Sequence, residues 1–177
     1  MQDADERVRF ERALLPHLGA AYNLARWLTG NAHDAEDAVQ ESYLRAMKFF
    51  GGFHGTDGRG WLLTIVRNTC YTLLQRKTAH GTPAVYDEAV HGITAGDSGP
   101  SQVLERQETR QSTRQAVEAL PVELREVVVL RELEGLSYKE IAAVADIPIG
   151  TVMSRLARAR ERLHQTLSEA SKQGTVA

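Results

Sequence analysis

The sequence predicts an all-α protein: two small helical units joined by a flexible linker. Three observations predict it. Apolar residues recur at steps of three and four along most of the chain, as on helix faces. No alternating strand pattern with a hairpin turn stands out. Two charge-balanced blocks flank a segment of different composition: residues 1–80 carry ten basic and nine acidic side chains and residues 105–177 eleven of each, whereas residues 81–104 carry three acids and no Lys or Arg. That middle segment, GTPAVYDEAVHGITAGDSGPSQVL, holds four Gly, two Pro and no helical period, so it reads as the linker. The expected domains are therefore 1–80 and 105–177, with 81–104 between them.

In the first block Phe10, Leu14, Leu18, Ala21, Ala25 and Leu28 line one helix face. Pro16 lacks an N–H donor, so a kink or restart is expected there. Thr29-Gly30-Asn31 ends this helix. A second begins with Asn31 as N-cap and Asp34 in the first turn, where a carboxylate meets unpaired N–H groups. Its expected apolar face is Val39, Tyr43, Ala46 and Phe50. A glycine-rich loop, Gly51 to Gly60, precedes a third helix from Trp61 to Lys77. In the second block a helix from Ser101 is stopped by Pro121, and another over Val122–Glu134 ends at Gly135, a left-handed cap. Two further helices flank Asp146-Ile147-Pro148.

Those last two helices form a helix-turn-helix pattern. Ser137-Tyr138-Lys139-Glu140 has the spacing of a capping box. The second helix restarts at Gly150 or Thr151. At about 100° per residue, Val152, Leu156, Ala159 and Leu163 share one face, while Thr151, Ser154, Arg155, Arg158 and Arg162 share the adjoining arc. Such an arc can bridge phosphates or read guanine edges in a major groove. In the first block Asp37, Gln40 and Glu41 project together at i, i+3 and i+4, either as a solvated acidic face or as a docking surface for a basic or amide-rich partner. On the third helix Trp61 lies beside Asn68, Thr72 and Gln75, either as a stacking plane for bases or as a core aromatic. Arg67, Arg76 and Lys77 are candidates for phosphate contact.

Composition narrows the function classes. A hydrophobic fraction of 42%, 25% charged residues and a net charge of −2 argue against disorder and against a purely electrostatic nucleic-acid binder. The single Cys70 excludes an intramolecular disulfide framework and is expected as a buried structural thiol. The six histidines lack ligand spacing, and neither GxxxxGK[ST] nor GxGxxG occurs. No cofactor, metal or catalysis by this chain is expected. The charged N-terminus carries no signal core, and no apolar run reaches membrane-spanning length, so a cytoplasmic protein without direct membrane insertion is expected.

Three segments, AYNLARWLTGNAHDAEDAVQESYLRA, GRGWLLTIVRNTCYTLLQRK and ALPVELREVVVLRELEGLSYKEIAAVADIPIGTVMSRLARARERL, occur in this order. Together they resemble bacterial RNA polymerase sigma factors of the sigma-70 family, in particular the small extracytoplasmic-function (ECF) group that keeps only regions 2 and 4. The resemblance implies that 1–80 is region 2, which binds core polymerase and recognises and melts the −10 element, and that 105–177 is region 4, which recognises the −35 element. It implies that Asp37, Gln40 and Glu41 dock on the β′ clamp helices, with the β subunit as a further contact. It places Arg59, Trp61, Arg67, Asn68 and Thr72 toward the −10 element, where the loop Phe53–Gly60 would trap an unstacked base. It places Thr151, Ser154, Arg155, Arg158 and Arg162 toward the −35 element. Met153 departs from the pattern, since many relatives carry a basic residue there. Core RNA polymerase, promoter DNA and an anti-sigma factor are the implied partners, with no added C-terminal sensor domain. Two rivals remain at this point: a polymerase-independent helix-turn-helix regulator, and an interaction module that only occupies the clamp site.

Overall fold

The computed structural model describes residues 2–81 and 100–174, and every regular element among them is helical. Most of the expected linker, residues 82–99, lies outside the described residues. Helix α1 covers Gln2–Leu14 and α2 covers Leu18–Thr29; a tight turn at Leu15–His17 containing Pro16 separates them. The break therefore falls at the residue that cannot donate to the helix ladder. Gly30 caps α2 at φ +81°.

Helix α3 covers Ala32–Phe49, and the Asn31 side chain accepts from the Asp34 amide at 2.8 Å. Its buried face is Ala35, Ala38, Ser42 and Ala46 rather than one centred on Val39 and Tyr43, which are half-buried at the flank. The small residues let α3 lie close to α2 and α4, and Ser42 satisfies its hydroxyl on the Ala38 carbonyl at 2.6 Å.

Helix α4 runs over Gly58–Ala79, three residues earlier than the sequence suggested, because the Asp57 carboxylate accepts from the Gly60 amide at 2.8 Å and so starts the helix. Leu62, Leu63, Val66, Thr69 and Cys70 are buried, while Ile65 and Leu73 are half-buried. Burial pushes the Cys70 thiol up to about 12, with the negative charges of Asp34 and Glu126 adding to it, so the thiolate is disfavoured. The glycine that close packing demands is Gly58: a Cβ there would lie 2.4 Å from the Ala13 carbonyl oxygen. This seats α4 against the end of α1, a role internal to the fold. Gly58→Ala is expected to cost roughly 1–3 kcal/mol, read as a lowered midpoint in thermal denaturation.

In the second half, α5 covers Pro100–Glu118 and α6 covers Val122–Val128. Helix α6 continues as one wide turn, Val129–Leu133, closed by Glu134 N–H to the Val129 carbonyl at 3.1 Å and terminated at Gly135, φ +68°. Helix α7 covers Tyr138–Ala145 with both arms of the capping box present: Glu140 N–H to Ser137 Oγ at 3.2 Å and Ser137 N–H to Glu140 Oε2 at 2.7 Å. Asp146, at φ +54°, turns the chain. Helix α8 covers Ile149–Gly174. It starts ahead of Thr151 because the Pro148 carbonyl already accepts from Thr151 and Val152 at 2.9 and 3.2 Å.

The two halves pack on each other. Helix α4 lies against α7, and α2 against α6. The buried apolar residues form one cluster that runs through both halves, from Phe10 and Leu14 to Leu156 and Ala159. Arg125, buried on α6, ties them by donating to the Trp27 carbonyl at 2.9 Å and to the Glu118 and Leu120 carbonyls at 2.7 and 2.8 Å.

Candidate nucleic-acid interface

Three surfaces hold the residues singled out in the sequence. The first is the outer face of α3. Asp37 and Gln40 are exposed and Glu41 is half-buried. Asp37 lies 3.4 Å from His33 Nε2, and Glu41 pairs with Arg45. The sequence reading missed the continuation of this face. Leu44 and Met47 are 59% and 53% exposed, and on the helical wheel Leu44 falls within about 20° of Asp37. The signal was available in the spacing 37, 40, 44, 47, which steps three, four and three. The result is a stripe with carboxylates at one end and apolar side chains at the other, an arrangement suited to a helical partner with basic and apolar residues.

The inner end of α3 is instead tied to α4. Asp34 takes the Asn31 side-chain amide and the Lys77 ammonium. Lys77, a candidate for phosphate contact, is thus engaged within the fold. Burial opposes the Asp34 charge, but the hydrogen bonds to Lys77 and Asn31 outweigh it and hold the carboxyl below its ordinary range. A depressed folded-state value gives stability that is present above about pH 4 and is lost as pH falls through that lower value. Asp34→Asn is therefore expected to cost about 1–2 kcal/mol at pH 7. The difference from the parent should shrink below about pH 4 in urea titrations across pH.

The second surface is α4 and the loop before it. Trp61 is half-buried and stacks on Phe53, with centroids 4.7 Å apart and planes 29° apart; Phe50 lies 6.1 Å away. One face of the indole is therefore taken by Phe53. Arg59 reaches the Glu134 carbonyl and lies 3.4 Å from its carboxylate. Arg67 donates from Nε to Glu126 Oε1 at 2.5 Å, and its guanidinium lies 4.0 Å from the Tyr71 ring centroid. Burial works against the Arg67 cation, but the Glu126 carboxylate overrides it and holds the group above its ordinary value. Asn68 and Arg76 are exposed, and Thr72 is half-buried with its hydroxyl on the Asn68 carbonyl at 3.0 Å.

The third surface is the start of α8. Val152, Leu156 and Ala159 are buried, as the periodicity required. Ser154, Arg158 and Arg162 are exposed, Thr151 is half-buried, and Met153 is 54% exposed. Arg155 departs from this group: its side chain is 19% exposed and Nη1 lies 3.9 Å from Glu126 Oε2. Glu126 is therefore the residue that sequence reading missed. It is fully buried and accepts from Arg67 and from Tyr71 Oη, at 2.9 Å, of the N-terminal half, with Arg155 of α8 beside it. Burial, and then the Glu126 charge, raise the Tyr71 hydroxyl, so it remains a donor. A cleft of about 470 Å³ lies between the halves, bounded by Asp57, Trp61 and Thr64 on one side and Lys139, Glu140 and Val144 on the other.

Family models for Sigma-70 region 2 and for Sigma-70 region 4 match residues 14–80 and 110–163. The "ECF RNA polymerase sigma-E factor" of Escherichia coli K12 is 37% identical over 73% of this chain and 72% of its own length. The chain belongs to the ECF RNA polymerase sigma factors. This sigma factor is also 34% identical over 98% of its length to "ECF RNA polymerase sigma factor SigE" of Mycolicibacterium smegmatis, and it spans 65% of that relative's length. Its structure superposes on that of the sigma factor RpoE of Bartonella quintana, solved with the anti-sigma factor NepR. The TM-score is 0.75 at 28% identity, over 90% of this chain and 97% of that one. CnrH, solved in complex with the cytosolic domain of CnrY, shares the fold at a TM-score of 0.63 and 24% identity, over 92% of this chain and 90% of that one. The family's region 2 thus falls on α2–α4 and its region 4 on α5–α8. No described helix of this sigma factor is long and apolar enough to cross a membrane.

Proposed function

We propose that this sigma factor acts in the cytoplasm by docking on core RNA polymerase through the α3 stripe and by placing α4 and α8 on the −10 and −35 elements of a promoter. The observation that carries this reading is the coexistence, in one chain of this family, of a solvated acidic-to-apolar stripe on α3 and a capped helix-turn-helix with an exposed polar arc. Asp37, Gln40 and Glu41, extended by Leu44 and Met47, contact the polymerase. Arg59, Trp61, Arg67, Asn68 and Thr72 serve the −10 element. Thr151, Ser154, Arg158 and Arg162 serve the −35 element, and Arg155 joins them on leaving Glu126. The bond-forming chemistry is the polymerase's, and this chain supplies position. An anti-sigma factor is its expected inhibitor. The domain division at 1–80, 81–104 and 105–177 is retained in this reading, although α5 already begins at Pro100, inside the segment expected as linker.

A polymerase holding both units raises the effective concentration of each at its own element, so two modest contacts become selective together. The test is transcription by core polymerase with this chain, mapping RNA 5′ ends across a genomic promoter library. Discrete starts sharing two spaced elements are expected, whereas absence of specific product would refute the reading. Within it, Arg158→Ala should lower the salt slope of duplex binding by about one, measured as log affinity against log salt concentration. Met153→Lys should raise the same slope by up to about one, because Met153 is an exposed apolar side chain on an otherwise polar arc and the variant sets an ammonium there; the same titration reads it.

A further inference from the structure

Besides the shared apolar cluster and Arg125, the two halves meet through carboxylates of the C-terminal half and side-chain donors of the N-terminal half. Glu126 takes Arg67 at 2.5 Å and Tyr71 at 2.9 Å. The Glu134 side chain takes Asn23 Nδ2 at 2.6 Å and lies 3.4 Å from Arg59, which also reaches the Glu134 carbonyl. Arg59 and Arg67 are the two cations assigned above to the −10 element. Both stand opposite carboxylates whose side chains are 9% exposed or less. The same Glu126 carboxylate lies beside Arg155 of the recognition helix. One acidic surface therefore engages a cation from each proposed DNA reader.

We propose that the C-terminal half of the free chain occupies the DNA face of its own N-terminal half, with the Glu126 and Glu134 carboxylates standing where backbone phosphates would otherwise bind. The proposal rests on the assignment of Arg59 and Arg67 to DNA. The chemistry of the interface supports it: each of the two carboxylates faces one guanidinium group, the group that also pairs with phosphates. Such a contact is specific and releasable. Desolvating the carboxylates offsets much of the attraction, so a ligand that supplies phosphates to the same arginines can compete. While the halves are closed, apparent DNA affinity is reduced by the fraction of chains that are open.

Asn23 offers a clean test, because it lies outside the proposed contacts to polymerase and DNA. Asn23→Asp sets a carboxylate against Glu134, and the double variant Asn23→Asp, Glu134→Asn restores a donor–acceptor pair at the parent's net charge. In the full chain, small-angle scattering measures compactness. Fluorescence anisotropy measures binding to a labelled 30-nucleotide single-stranded DNA of mixed sequence. The parent should show a radius of gyration near the ~16 Å of a compact chain of this length. Asn23→Asp should expand it and tighten DNA binding by about fivefold, against the direction of its added negative charge, and the double variant should reverse both changes. Circular dichroism checks folding; if Asn23→Asp does not fold, Glu134→Ala replaces it with the same two readouts. An expanded parent overturns the proposal, as does an Asn23→Asp chain that stays compact with unchanged or weaker DNA binding. Expansion without tighter binding overturns the assignment of Arg59 and Arg67 to DNA, and the inhibitory role with it, while leaving the closed contact established.

Discussion

Replacing Asp37, Gln40 and Leu44 together by alanine is expected to weaken binding to core RNA polymerase on the order of 100-fold, at about 1 kcal/mol for each side chain truncated. The three side chains lie on one face of α3, and none is buried in this chain. Their removal takes nothing from the core, and alanine is the best helix former, so α3 itself should persist. Under the proposed docking, the acidic end would supply orientation and on-rate by electrostatic complementarity, which salt screens. Leu44 supplies apolar area, which salt does not weaken. The single variants should therefore separate: Asp37→Ala should lose its effect as ionic strength rises, and Leu44→Ala should keep it. An equilibrium titration of labelled sigma factor with core polymerase measures each. A triple variant within threefold of the parent would show that the stripe is only a solvated face. Duplex DNA binding by the same variant should be unchanged, because α8 lies on the other half.

How far the sequence went is clearest at individual residues. Asn31 with Asp34, Ser137 with Glu140, Pro16 and Gly135 act within a few positions of themselves, and local chemistry alone placed the caps and breaks they form. The buried face of α8 followed from its period. The buried face of α3 moved from Tyr43 toward Ser42, because close packing against two helices selects small residues over large ones, and hydropathy does not score Ser42 as core. The contact between the halves was beyond periodicity. Arg67 and Glu126 are 59 positions apart, and nothing local to either names the other. One clue was present: the stretch Leu124–Leu130, LREVVVL, is apolar at five of seven positions, more than one helix face holds, and a stretch apolar on more than one face is covered on more than one face. Read that way, Glu126 inside the run is a buried carboxylate that requires cations, and the flanking units must close over it.

That requirement sets the second large effect. Glu126→Ala should lower the stability of the full chain by about 3–5 kcal/mol, the usual cost of removing one partner from a buried ion pair. Arg67 and Arg155, 17% and 19% exposed at their side chains, would lose their carboxylate, and the Tyr71 hydroxyl would lose its acceptor. Against a total of about 5–15 kcal/mol for a typical domain, this is a large share. Glu126→Gln keeps the volume and one acceptor oxygen while removing the charge, so it should cost less, about 1–3 kcal/mol. Urea unfolding followed by far-ultraviolet circular dichroism gives both values. Pairing is separated from packing by a double-mutant cycle with Arg67→Met, which removes the cation at similar length. If the carboxylate matters by holding Arg67, the loss from Glu126→Ala should be smaller in the Arg67→Met background, with a coupling above about 1 kcal/mol. A coupling near zero with a large single loss would assign the effect to Arg155 and to cavity formation inside the C-terminal half. A single loss under about 1 kcal/mol would mean that water solvates the arginines once the carboxylate is gone, and that Glu126 is not what holds the halves in register.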